Sequence, residues 1–198
     1  MTDKNALKSF LNTTNQELEY ILETIKEDNL ESAAHLILEC EKHNGRIHIT
    51  GVGKPGHVAA YIASLFSSTG TPTYELHATE AIHGSSGQVK AGDVVIAISN
   101  SGTTKELLYT CKTLKTNGAK IIAVTGNDQS ELAKLADVVL VASVTKEGDE
   151  LNKPPRNSIL AEVIVLQSLS IVLQDKKKLD MKTYIQWHPG GAIGETKL

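Results

Sequence analysis

The sequence predicts an α/β protein, an open parallel sheet covered by helices on both faces. Three observations predict it. Short Val- and Ile-rich runs recur from residue 46 onward, with helical patterns between most of them. Two of these runs, VVIAI and VVLVA, are apolar on both parities, as strands covered on both faces are. The intervals suit right-handed crossovers, and 198 residues leave room for one domain with at most a helical arm.

Taken in order, residues 5 to 43 place Leu18, Ile21, Leu22 and Ile25, then Leu30, Ala33, Ala34, Ile37 and Leu38, at helical spacing, which predicts two helices. Gly45 stops the second helix, and strands are predicted over 46–50, 73–77, 93–99, 120–125 and 137–144. Pro154 and Pro155 then break the chain. Residues 158–173 (SILAEVIVLQSLSIVL) read as a long, nearly all-apolar helix, followed by a basic run and the tail HPGGAIG. A helix apolar on most faces needs cover on most faces, so it is predicted to be a central helix or an oligomer interface. With no internal repeat or low-complexity linker, the expected organisation is one domain over 1–198, an arm at 1–45 preceding a core at 46–198.

Composition narrows the function. Apolar residues make up 40% and charged residues 22%, the mix of an ordinary globular protein. The 20 Lys and Arg against 23 Asp and Glu give a formal charge of -3, and the absence of a basic stripe argues against a nucleic-acid partner. Cys40 and Cys111 lack CxxC spacing, which predicts neither disulfide nor zinc and fits a reducing cytoplasm. The polar N-terminus has no apolar leader segment, and no uninterrupted apolar run approaches the ~18 residues of a membrane span, so a cytoplasmic protein without membrane contact is expected.

Ligands of open α/β sheets bind beyond the carboxyl ends of the strands. Two such turns stand out. After the first strand comes Gly51-Val52-Gly53-Lys54-Pro55-Gly56-His57, whose glycines permit close backbone approach and whose lysine suits an anion. It has neither Walker nor dinucleotide-fingerprint spacing. After the third strand comes Ser99-Asn100-Ser101-Gly102-Thr103-Thr104-Lys105-Glu106, hydroxyls opening a helix and so a cradle for a phosphate monoester. One such turn alone would read as an N-cap; two on neighbouring strand ends favour a phosphate site. Glu80, His83, Glu106, Glu147 and His188 are the acid/base candidates outside the core pattern. Each also has a bland reading, Glu106 and Glu147 as helix-start or surface charges and His83 as a surface loop residue. His35, His43 and His48 lie in helix or strand contexts and receive no role.

The spans GVGKPGH, SLFSSTGTPTYELHATEAIHGSSGQVKAGDVVIAISNSGTTKE and WHPGGAIG resemble the sugar isomerase (SIS) domain family, most closely the isomerase domain of D-arabinose 5-phosphate isomerases. The resemblance covers residues 40 to 198, and the three motifs in order are specific, whereas SNSGTTKE alone marks the broader superfamily. It implies a three-layer α/β/α sandwich with a five-stranded parallel, flavodoxin-like sheet, and interconversion of an aldose and a ketose phosphate. It also implies that Ser99, Ser101 and Thr104 hold the phosphate, that Gly51, Gly53 and Asn100 complete the substrate contacts, and that Lys54, His83, Glu106, Glu147 and His188 form the catalytic set. All five residue types are present, which favours a working enzyme over a decayed sensor. The resemblance further implies a homotetramer whose active sites take residues from neighbouring chains.

Two departures bear on the substrate. Pro55 stands where the family has serine in GxGKSG, and Asn152-Lys153-Pro154-Pro155-Arg156-Asn157 replaces a Thr/Ser-rich turn. The CBS domain pair common in full-length relatives has no counterpart here, so regulation through it is not expected, and no helix-turn-helix is read in residues 1–45. The expected chemistry passes from ribulose 5-phosphate to arabinose 5-phosphate through a cis-enediol without a redox cofactor, His188 or Glu106 carrying protons, Lys54 facing the oxyanion, and His83 and Glu147 in support. Metal-free catalysis is expected over a route in which His57, His77, His83 and His188 converge on an ion. The alternatives are 3-hexulose-6-phosphate isomerase chemistry and a non-catalytic phosphosugar sensor.

Overall fold

The computed structural model describes residues 4–196. The arm folds as two helices, α1 (Lys4–Thr24) and α2 (Glu27–Lys42). Helix α2 buries Leu30, Ala33, Ala34, Ile37 and Cys40, the three-and-four spacing of one face, and its ends carry Glu27 and Asp28 at the start and Lys42 at the close, matching the helix dipole. Helix α1 buries Ile21 and Glu17 but leaves Leu7, Leu11 and Leu22 exposed.

Five parallel strands follow, β1 (Ile47–Gly51), β2 (Thr73–Glu75), β3 (Val94–Ile98), β4 (Lys120–Thr125) and β5 (Val138–Val141), in the order β2-β1-β3-β4-β5. The intervening helices are α3 (Lys54–Ser68), α4 (Ala78–Ala81), α5 (Lys105–Thr116) and α6 (Glu131–Leu135). After β5 come α7 (Asn157–Lys177), α8 (Met181–Trp187) and α9 (Gly191–Gly194). Alternating residues divide the core between the two faces. Ile47, Ile49, Val94, Ile96, Ile98, Ile122 and Val124 pack under α2, α3 and α7, while Val95, Ala97, Ile121 and Ala123 pack under α4, α5 and α6.

The strand order reverses between β1 and β3, which pair directly with Ile47 opposite Val94 and Gly51 opposite Ile98. The turns leaving these two strands diverge to opposite faces there and open the crevice where such sheets bind ligands.

One expectation needs correction and another needs refinement. VVIAI is buried throughout as β3, but in β5 only Leu140 is buried, because β5 is the sheet edge and the five-residue α6 covers little of it. No uninterrupted apolar run of ~18 residues is present, as expected, but run length alone understates one helix. Helix α7, with 21 residues and a mean hydropathy of 1.5 over its most apolar stretch, has the necessary length and composition, since its scattered polar residues interrupt the run without lowering its mean. Half of that stretch is buried inside the fold, where α7 packs on α1, α2 and α3. Ala161, Val165, Leu166, Leu169 and Leu173 point inward, while Leu160 and Ile171 face outward with Tyr61 of α3 nearby, its hydroxyl accepting from Gln167 at 2.9 Å. The cover predicted for all of α7 is therefore only partly supplied within one chain.

Candidate active site

The β1 turn is built by close approach. Gly51 ends the strand, and a Cβ there would stand 2.8 Å from the Pro55 carbonyl oxygen as the first turn of α3 folds back over it. Gly53 is the N-cap of α3, Lys54 its first residue, and Pro55 follows at a position whose N–H has no partner inside the helix. Lys54 and His57 are exposed at this end of α3. A cavity of about 390 Å³ lies beside them, walled by Tyr61, Pro155, Arg156, Ile159 and Val163. A smaller one of about 140 Å³ reaches from Gly51, Gly53 and His57 to His77 and Thr79.

The β3 turn sits next to it across the strand pair. Ser99 is buried, its Oγ accepting from the Gly102 N–H at 3.2 Å and lying 3.2 Å from the Thr104 hydroxyl. Ser101 is exposed and its Oγ accepts from the Thr103 N–H and hydroxyl. Gly102 has φ +63, and a Cβ there would collide with Ser130, whose own Oγ caps α6. The Asn100 carbonyl accepts from Gly126 N–H and from the Thr125 hydroxyl, so this turn is pinned to the end of β4. Thr104 is the N-cap of α5 but makes no side-chain cap bond, and Glu106 lies exposed in the first helical turn. The exposed hydroxyls of Ser101 and Thr103, the half-buried one of Thr104 and the N-terminal N–H groups of a 12-residue helix thus gather beside Lys54's turn, with Ser99 buried beneath them, an arrangement that fits a dianionic group. Neither cavity includes the Ser99–Thr104 turn, which is open to solvent.

Glu147 is held differently. It is buried after β5, and its Oε2 accepts from the backbone N–H of Arg156 at 2.6 Å and of Ser158 at 3.2 Å, the donors at the start of α7. Its own N–H donates to Asn152 Oδ1 at 2.7 Å, and Asn152 adopts φ +47. Arg156 pairs with Asp149 at 2.7 Å, and Asn157 donates to the Lys146 carbonyl while accepting from Thr14 of α1. The segment 152–157 is thus the clamp that fixes Glu147.

His83 is exposed just beyond α4, a helix joined to α5 by the Thr110 hydroxyl donating to the Ala78 carbonyl. His188 lies apart. Its Nδ1 is 2.7 Å from the Tyr184 carbonyl and its ring stacks on Tyr184 at 4.1 Å, while the neighbouring Trp187 lies against Gly70. Gly70 follows the far end of α3, a 15-residue helix spanning ~22 Å from Lys54. Within one chain, then, the turns carrying Lys54, Ser99–Thr104 and Glu106 meet at the strand ends and His188 does not join them. His57, His77, His83 and His188 likewise form no metal-type cluster among the described residues.

Sequence reasoning missed Glu162. Its carboxyl is fully buried on α7 with neither oxygen hydrogen-bonded among the described residues, and burial, with a smaller push from the Glu147 charge, raises its pKa from 4.5 to about 8. The signal was present, a single ionisable residue within SILAEVIVLQSLSIVL.

Comparison with known proteins agrees with this fold. Arabinose 5-phosphate isomerase KdsD of Francisella tularensis is 40% identical over 168 residues, covering 85% of this chain and 51% of the relative. KdsD of Pseudomonas aeruginosa is 39% identical over 171 residues, covering 86% and 52%. The chain spans about half the length of these curated relatives. Among solved structures, a ligand complex of an E. coli CFT073 protein superposes with a TM-score of 0.85 at 33% identity, covering 92% of this chain and 95% of that one. Residues 40–172 match the SIS domain, and the chain belongs to that family.

Proposed function

We propose that the chain is a phosphosugar aldose–ketose isomerase, and that it interconverts D-ribulose 5-phosphate and D-arabinose 5-phosphate. The observation that carries this reading is the adjacency of the Lys54 and Ser99–Thr104 turns at the β1/β3 switch point, with Glu106 in the first turn of α5. The names of the KdsD relatives support the choice of substrate.

In this reading the phosphate sits on Ser99, Ser101, Thr104 and the N–H groups opening α5, with Gly51, Gly53 and Asn100 shaping the turns around the sugar. The open-chain aldose loses its C2 proton to a base, the electrons form a cis-enediolate, and reprotonation at C1 gives the ketose. Glu106 and His188 are the proposed proton carriers, Lys54 offsets the charge growing on the enediolate oxygen, and His83 and Glu147 support them. Because His188 lies at the opposite end of α3 from Lys54, a second copy supplies it. The outward Leu160, Ile171 and Tyr61 give α7 and α3 an apolar face for that copy, and a tetramer satisfies both needs. The arm and the α/β core make one domain, joined by the packing of α1 and α2 on α7. The proposed compartment is the cytoplasm.

The test incubates the purified chain with ketose 5- and 6-phosphates and follows aldose formation by NMR, with Lys54→Ala as control. Ribulose 5-phosphate turning into arabinose 5-phosphate is the expected result. Turnover of another ketose keeps the chemistry and changes the substrate, and binding without turnover of any member makes the chain a phosphosugar sensor.

A further inference from the structure

Beneath Glu147 lies a second acid that the proposed chemistry does not use. Glu162 is one helical turn beyond Ser158 on the inward face of α7, and both are fully buried. Among the described residues neither Glu162 oxygen nor the Ser158 Oγ has a hydrogen-bond partner, whereas the Ser158 N–H donates to Glu147. An ionised carboxylate in such a place would be shut off from bulk solvent with no donor among the described residues, and it would repel the charge held at the helix start. A neutral carboxylic acid there is compatible with its surroundings.

We propose that Glu162 is a positioning residue for Glu147: it holds a proton behind Glu147, so that Glu147 is the one carboxylate that answers the backbone donors at the start of α7. The proposal rests on the isomerase reading only for the consequence on turnover. Two neighbouring acids then have separate duties, set by what surrounds each of them. Glu147 keeps two backbone donors and Glu162 has none.

The other charges around α7 are already engaged or lie elsewhere. On the loop preceding α7, Asp149 and Arg156 pair with each other. On α1, Glu17 accepts from the Thr145 N–H and hydroxyl. On α3, Lys54 and His57 line the groove beside Arg156 and Val163. On α2, Glu31 and Glu41 pair with Lys176 and Lys177 at the distant end of α7. Of all these it is the Glu147 charge that acts on Glu162.

The test follows the carboxyl resonances of the chain labelled with 13C at glutamate Cδ, wild type against Glu162→Gln, from pH 4 to pH 10. One glutamate is expected to titrate near pH 8 and to vanish from the Glu162→Gln spectrum, while the Glu147 resonance, assigned with Glu147→Gln, shifts at that same pH in the wild type and not in the variant. No glutamate titrating above pH 7, or a Glu147 curve identical in both proteins, overturns the proposal. Because the wild-type spectrum carries the first reading, a Glu162→Gln chain that failed to fold would not rescue it. In the activity arm, wild-type turnover falls about fivefold between pH 8 and pH 9 and the Glu162→Gln variant lacks that limb; an unchanged limb in the variant overturns the coupling. If no sugar phosphate turns over at all, the isomerase reading fails and the spectra still decide the role of Glu162.

Discussion

Glu106 and Glu147 are both candidate acids of the site, yet they are held in opposite ways, and replacement should separate them. Glu106 is an exposed first-turn residue, so Glu106→Gln should abolish most turnover and leave stability within ~0.5 kcal/mol of the wild type. Glu147→Ala strands the buried Ser158 N–H and the half-buried Arg156 N–H and should cost about 2–4 kcal/mol in chemical denaturation as well as activity. Lys54→Ala, at an exposed helix start, should lower turnover by about 100-fold without moving the melting temperature. A Glu106→Gln chain of full activity would remove that residue from the proposed mechanism. At this scale the residue types of the site were legible in the sequence, because glycine, hydroxyl and lysine fall at strand ends where only a few positions face a ligand. Their support was not. The clamp on Glu147 depends on a backbone turn through Asn152 that no spacing announces, and Glu162 was absorbed into an apolar pattern that it interrupts only once.

Helix α7 carries the strongest constraints among the elements. Leu169 is fully buried between α7 and the sheet, and Leu169→Ala should destabilise the chain by about 2–5 kcal/mol, read from denaturant midpoints. Glu162 makes the stability of α7 depend on pH. Its folded-state proton affinity is raised, from 4.5 to about 8, so its contribution is complete below pH 4.5, where the unfolded carboxyl is also protonated. That contribution declines as pH climbs toward 8 and levels off above it, a total of at most about 5 kcal/mol. Glu162→Gln should flatten this part of the profile, and a variant that melts in parallel with the wild type from pH 5 to pH 8 would contradict it. The helices and strands themselves were largely readable. The expected strand over 120–125 coincides with β4, and the two arm helices fall where their apolar spacing put them. Strands β2 and β5 are shorter than expected because edge strands pair on one side only, so their ends gain less from the sheet than their sequence suggests.

For the whole molecule, the order β2-β1-β3-β4-β5 brings the two anion-receptive turns together, and the long α3 keeps His188 away from them. The first of these follows from βαβ handedness and could be anticipated. The second could not, since a sequence does not state which end of a helix a tail returns to. If a second copy completes each site, mixing Lys54→Ala and His188→Ala chains should restore about a quarter of wild-type turnover through hybrid pairs. Two inactive proteins that stay inactive when mixed would mean that one chain builds its own site. The central claim is proton transfer between adjacent sugar carbons, and its most direct measurement incubates the chain with arabinose 5-phosphate in heavy water and follows C1 and C2 by NMR. The account predicts ribulose 5-phosphate carrying solvent deuterium at C1, together with deuterium entering C2 of the remaining aldose. Arabinose 5-phosphate that binds at saturation, yields no ketose and keeps its C2 proton would contradict it.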